Sequence, residues 1–197
     1  MSCTEKDEFE VLHGLRIKGM TQPEEIAEAT GLEVDLVTEV LDGAVAQERA
    51  RHRTGGKVQG YMLTASGRDR HQSLRADNLP DDVTELTAAY EAFLGPNRGF
   101  KGLTTKWQTE ADGNISVVLS DLKALNDDVG EVLDLASKSI PRMATYKIRF
   151  ARALQAFENG DTAALARPMS GSYHDVWMEL HEDLIQTLGR ERTDADE

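Results

Sequence analysis

The stretch "EEIAEATGLEVDLVTEVLDGAV", residues 24–45, reads as two helices separated by a turn at Gly31. Ahead of it, Thr21 is the predicted N-cap, Pro23 lies in the first turn, and Glu24 and Glu25 stand against the positive end of the helix dipole. In the second helix Val37, Val40, Leu41, Ala44 and Val45 keep the 3-4-7-8 spacing of a single buried stripe. Asp35, Glu39 and Asp42 therefore point the other way. Between Gly31 and Asp42 there are four carboxylates and no Lys or Arg.

The pattern extends in both directions. Phe9, Leu12 and Leu15 predict a preceding helix that Gly19 ends. Downstream, "RARHRTGGKVQGYML" (49–63) changes to a two-residue rhythm around Gly55-Gly56, the signal of a β-hairpin. Arg49, Arg51 and Arg53 share one face of its first strand, while Tyr61 and Leu63 share the inward face of the second. "LTASGRDRHQSL" (63–74) then starts a fourth helix with Thr64 as its N-cap. Three helices, a hairpin wing and a closing helix are the order of a winged helix-turn-helix.

Over residues 9–76 the chain resembles the MarR-like winged-helix regulators of bacteria. The resemblance rests on "EEIAEATGL", "VTEVLDGAV" and "YMLTASGR". It implies a DNA-binding transcriptional regulator. Such families carry polar or basic residues on the outer face of the third helix, where this chain has Asp35, Glu39 and Asp42.

The net charge of -13 over 197 residues is unevenly placed. Residues 19–48 hold eight Asp/Glu and no Lys/Arg, whereas residues 49–76 hold seven Lys/Arg and one Asp. Any nucleic-acid contact must then centre on the second of these segments. A specific complex needs cations to displace counterions, and removing about six to ten cation–phosphate pairs costs roughly 1,000-fold or more in affinity at moderate salt. One carboxylate in a major groove is workable, because it accepts a hydrogen bond from a cytosine amino group; three are hard to place. The predicted DNA contacts are accordingly Arg49, Arg51, Arg53 and Lys57 on the wing, with Arg68 and Arg70 close in sequence and Thr38 the one contribution of the third helix. Three readings stand side by side: wing-dominated DNA binding, a two-pole protein-docking surface, and solvated charges paired within the chain.

"ADNLPDDV" (76–83) marks a boundary, giving a winged-helix domain over 1–79, a helical domain over 80–189 and a flexible tail over 190–197. Val83, Leu86, Tyr90, Phe93 and Leu94 predict a helix interrupted at Gly95-Pro96, and Phe100, Leu103 and Trp107 resume it. After a turn at "ADGN", Ile115, Leu122, Val129 and Ala136 repeat every seven residues, joined by Val118, Leu125 and Val132. This seam is the predicted dimer contact, weakened by Gly130. Pro141 opens a helix with Met143, Tyr146, Phe150, Ala153 and Phe157 inward, and "YHDVWMELHEDLIQTLG" (173–189) forms the last. The expected architecture is mainly α: an N-terminal winged helix-turn-helix (three helices plus β-hairpin wing) followed by an antiparallel α-helical bundle. The second half resembles the helical C-terminal region of a bacterial winged-helix family through "AYEAFL", "KWQ", "YKIRFARAL" and "SYHDVWMELHEDLIQTLG". Similar segments are associated with pyruvate phosphate dikinase-like enzymes, which supports the docking reading.

His174, Met178, His181 and Ile185 border the apolar stripe of the last helix beside Trp177. They read either as the wall of an effector pocket, with Tyr146, Lys147 or Arg149 as polar partners, or as boundary residues satisfied locally. Two histidines seven residues apart lie about 10.5 Å apart along a helix axis, too far to chelate one ion, so no metal is expected. No phosphate loop, nucleophile elbow or dinucleotide fingerprint occurs, and neither enzymatic activity nor a cofactor is expected. The lone Cys3 has no disulfide partner, no apolar run is long enough to span a bilayer, and "MSCTEKDEFE" lacks a signal pattern. The expectation is a cytoplasmic homodimeric transcriptional regulator with an effector pocket in its helical domain. The alternative is a winged-helix module that docks on a metabolic enzyme without specific DNA binding.

Overall fold

The computed structural model describes residues 3–56, 58–80 and 82–191. The chain is mainly helical, with one two-stranded antiparallel sheet among the described residues. It divides between Leu79 and Pro80 into two compact units. No helix among the described residues is long and apolar enough to cross a membrane.

In the first unit, α1 (Glu5–Lys18) opens with a capping box in which Thr4 and Asp7 satisfy each other's backbone amides, and it ends at Gly19. α2 (Pro23–Thr30) and α3 (Val34–Ala46) follow, separated by Gly31 in the left-handed conformation. The N-cap of α2 is Gln22, and not Thr21 as the sequence predicts. Thr21 is already committed elsewhere: its N–H donates to the Tyr61 carbonyl at 3.1 Å, and its own carbonyl accepts from the Tyr61 N–H at 2.8 Å. The cap therefore moves on by one residue, and Glu25 reaches back to the Gln22 amide.

Strands β1 (Ala50–Arg53) and β2 (Gly60–Leu63) pair with Ala50 opposite Leu63 and Arg53 opposite Gly60. Thr64 caps α4 (Ala65–Asn78) by accepting from the Gly67 N–H. Helix α1 lies at the centre of this unit, touching α2, α3, α4 and β2. Its Phe9, Leu12 and Leu15 are buried with Ile26, Val37, Leu41, Tyr61, Leu63 and Leu74. Between α1 and α4, His13 Nδ1 lies 2.9 Å from His71 Nε2, both rings are buried, and Phe9 stacks on His71.

The second unit contains α5 (Thr84–Thr109), α6 (Leu119–Ser139), α7 (Ala144–Glu158), the short α8 (Ala163–Ala166) and α9 (Tyr173–Leu188). Single 3-10 turns at Ile115–Val117 and Pro141–Met143 precede α6 and α7. Helix α5 continues across Gly95-Pro96, where the sequence predicts an interruption. Proline removes one backbone donor, but Phe93, Asn97, Phe100 and Leu103 continue a buried stripe across it. The Asn97 side-chain oxygen also accepts the Trp177 indole N–H at 2.9 Å, which ties α5 to α9 beyond the proline.

The predicted dimer seam is largely consumed inside the chain. Leu122, Val129, Val132 and Ala136 are buried on α6, which packs on α5 and α7. Ile115 lies in the 3-10 turn before the helix, and Leu125 is only half-buried. Of the tail, residues 192–197 lie outside the described residues.

A buried polar cluster joins the start of α7 to α9. Arg142 donates to Asp183 Oδ1 at 2.8 Å and to Thr187 Oγ1 at 2.6 Å, and Tyr146 donates to Asp183 Oδ2 at 3.0 Å. Arg142 and Asp183 are 4% and 3% exposed, so removing one strands the other in the interior. Asp183→Ala is expected to cost about 3–5 kcal/mol in a urea unfolding titration. Gly67→Ala is expected to destabilise as well, although alanine favours helices, because a Cβ at Gly67 would overlap the Arg49 carbonyl.

Candidate functional site

The hairpin carries two of the exposed cations of the first unit, Arg51 and Arg53; Lys6 of α1 and Arg68 of α4 are exposed as well. β1 buries Ala50 and leaves Arg51, His52 and Arg53 exposed, with Arg53 Nε donating to the Gly55 carbonyl in the turn. His52, between them, stacks on Tyr61 with ring centroids 4.0 Å apart. Tyr61 in turn donates its phenol proton to Asp42 Oδ1 on α3 at 3.0 Å. Burial first, and then Asp42, raise the Tyr61 phenol above its ordinary range, so it stays a donor. Gly60 is what lets β2 come this close: its φ is +142°, and a Cβ there would sit 2.5 Å from the Thr21 carbonyl.

Arg49 and Arg70 behave differently from Arg51 and Arg53. Arg49 points back to Glu8 Oε1 of α1 at 2.7 Å, and Arg70 of α4 reaches Glu8 Oε2 at 2.7 Å and Glu5 at 3.2 Å. The hydrogen bond from Arg70 is the main cause that holds the Glu8 carboxyl below its ordinary value, against a smaller opposing effect of burial. This cluster lines a polar cleft of about 490 Å³ together with Glu39 and Gly43 of α3. Arg49, predicted as a DNA contact, is thus a bracket between β1 and α1. Lys57 lies outside the described residues. Arg68 is exposed and donates to the Leu63 carbonyl.

On α3, Asp35, Glu39 and Asp42 are exposed, as the helical stripe requires. Thr38 turns its hydroxyl to the Val34 carbonyl at 2.9 Å, a bond within its own helix. The outer face of α3 is acidic, and the hairpin beside it is basic at Arg51 and Arg53.

The residues predicted to wall an effector pocket are mostly packed interior. Trp177 is buried against Phe100, at 4.4 Å between ring centroids, with its N–H on Asn97. His181 is buried 5.2 Å from the Phe93 ring, and His174 is half-buried at 6.0 Å from Phe100. Tyr146 is buried on Asp183, and burial together with Asp183 raises its phenol well above the ordinary range. Arg149 pairs with Glu179. The expected pocket wall is therefore the joint between α5, α7 and α9. A signal for this existed in the sequence: Asp183 falls between Leu180 and Leu184 on the apolar stripe of α9, a position that demands a buried cationic partner.

Among the described residues, no group of three His, Cys, Asp or Glu side chains is placed to hold a metal ion. Cys3 is an exposed free thiol. No protein-family model, no curated protein and no solved structure matches this chain.

Glu8 links acid sensitivity to the hairpin bracket. Its folded-state pKa is lowered, so its contribution is fully present above the unfolded value near 4.5 and is lost as pH falls through the folded value. Glu8→Gln is expected to lower the urea midpoint at pH 7 and to leave a shallower loss of stability than the wild type below pH 4.5.

Proposed function

We propose that the first unit is a winged helix-turn-helix, that the second is an antiparallel helical bundle, and that the protein is a homodimeric transcriptional regulator holding DNA mainly through its wing. One observation carries the reading: the β1–β2 hairpin presents Arg51 and Arg53 to solvent while Thr21 and Asp42 hold β2 through Tyr61. A basic hairpin beside a helical core suits a phosphate backbone or a minor groove. Two arginines per copy displace few counterions, so two copies on a pseudo-palindromic site would supply the affinity that one copy lacks. The two-fold contact would use surfaces of the bundle other than the buried α6 seam. An effector bound in the bundle would act by changing the separation of the wings.

A second reading is favoured by a separate observation. Asp35 and Glu39 are exposed on α3, and Arg49 and Arg70 are neutralised by Glu5 and Glu8. Both features oppose a phosphate backbone and suit a basic protein surface, as in docking on a metabolic enzyme of the pyruvate phosphate dikinase-like kind.

Duplex binding measured across a salt series separates the two. With DNA from the region upstream of the protein's own coding sequence, the DNA reading expects selective binding at physiological salt. Arg51→Ala/Arg53→Ala should weaken it for every sequence and make the salt slope shallower by about one for each phosphate no longer neutralised. Asp35→Asn/Glu39→Gln should tighten it. Absence of sequence-selective binding at physiological salt overturns the DNA reading. Retention of one partner from a lysate, abolished in Asp35→Asn/Glu39→Gln, would then support docking.

A further inference from the structure

We infer that the groove between α6 and α7 is a binding site for a primary organic amine with a compact apolar body. The groove has a volume of about 280 Å³. Its floor is formed by Val129, Leu133 and Phe150, and Asp127, Glu131 and Asp134 stand around its mouth. Lys147 crosses from α7 to Asp134 at 2.5 Å, which neutralises one of the three carboxylates. Asp127 and Glu131 make no ion pair among the described residues. An apolar floor with uncompensated negative charge at its edge matches one kind of small molecule: an ammonium group joined to a hydrocarbon.

Two features of α6 have no explanation in the packing of the unit alone. Asp127, Glu131 and Asp134 follow one another at i, i+4 and i+7, so like charges stack along one side of the helix, an arrangement that destabilises it by a few tenths of a kcal/mol per pair. A cation bound at the mouth removes that repulsion. Between them is Gly130, in the interior of a 21-residue helix, where glycine costs about 1 kcal/mol relative to alanine. No neighbour requires it, since a Cβ added there would meet nothing within 4 Å. What the missing side chain leaves open is the groove. At the far end Asn126 is positioned by the Tyr173 hydroxyl, which donates to its side-chain oxygen at 3.3 Å. The groove shares Phe150 with the aromatic cluster around Trp177, the two ring centroids lying 5.9 Å apart, and it does not depend on what the first unit binds.

The experiment is calorimetric titration of the full chain with 2-phenylethylamine at low salt, with phenylacetate and methylammonium in parallel. Phenylacetate keeps the body and reverses the charge, and methylammonium keeps the charge without the body. The expected result is saturable one-to-one binding of 2-phenylethylamine, with both controls at least about tenfold weaker, a difference of about 1.4 kcal/mol each. Gly130→Leu fills the groove and is expected to abolish binding while keeping the helical circular dichroism signal. Glu131→Gln should weaken binding about tenfold, whereas Asp128→Asn, a neighbouring carboxylate outside the groove, should leave it unchanged. The inference is overturned by an absence of saturation with 2-phenylethylamine, or by equal binding of phenylacetate. It is equally overturned if Asp128→Asn weakens binding as much as Glu131→Gln, which would make the effect one of overall charge. Should Gly130→Leu lose its fold, the comparison of Glu131→Gln with Asp128→Asn still decides. No DNA enters the titration, so its failure leaves the reading of the first unit standing.

Discussion

The pair of backbone hydrogen bonds exchanged by Thr21 and Tyr61 sets the geometry of the first unit. A two-stranded hairpin is marginal in water, and this one has only four residues in each strand. Thr21 gives β2 a second partner beside β1, and Gly60 permits the approach because no Cβ stands between the two backbone segments. Once β2 is held, Tyr61 falls on Asp42, His52 stacks on Tyr61, and Arg51 and Arg53 take up the solvent side. Each of these placements follows from the preceding one.

Electrostatics in the first unit divides its charges into two populations. Arg49 and Arg70 converge on Glu8, are partly shielded from water and serve cohesion, whereas Arg51, Arg53, Asp35 and Glu39 face solvent and are available to a partner. Counting cations along the chain merges the two populations. A screened surface pair contributes little, but a carboxylate shared between two guanidinium groups ties three elements together at one point.

Local pattern and long-range pairing explain what was legible in the sequence and what was not. The stripe Val37, Val40, Leu41 and Ala44 and the alternation Arg51, Arg53 against Tyr61, Leu63 depend only on periodicity, and the structure places them as read. Thr21 is a good cap by composition, but its backbone is claimed by a residue 40 positions away. Pro96 is a good breaker by composition, but a buried stripe and the Asn97 bond to Trp177, 80 positions away, carry the helix through it. The pairing of Arg49 with Glu8 spans 41 positions, and no local spacing announces it. Of the candidate site, the exposed arginines were readable from alternation. The diversion of Arg49, and the closed interior around Trp177 and His181, required the tertiary structure.

The buried contact between Arg142 and Asp183 bears on how the second unit can move. Sliding α9 along α7 by one helical turn is a shift of about 5.4 Å, which would carry Asp183 out of reach of both Arg142 and Tyr146. It would leave a carboxylate and a guanidinium facing each other's hydrocarbon neighbours, so that mode of motion is closed. Oily side chains alone tolerate several alignments of two helices; a single charge pair in their midst permits one. The contact thus acts as a key in a slot that fixes the register of α9 against the start of α7.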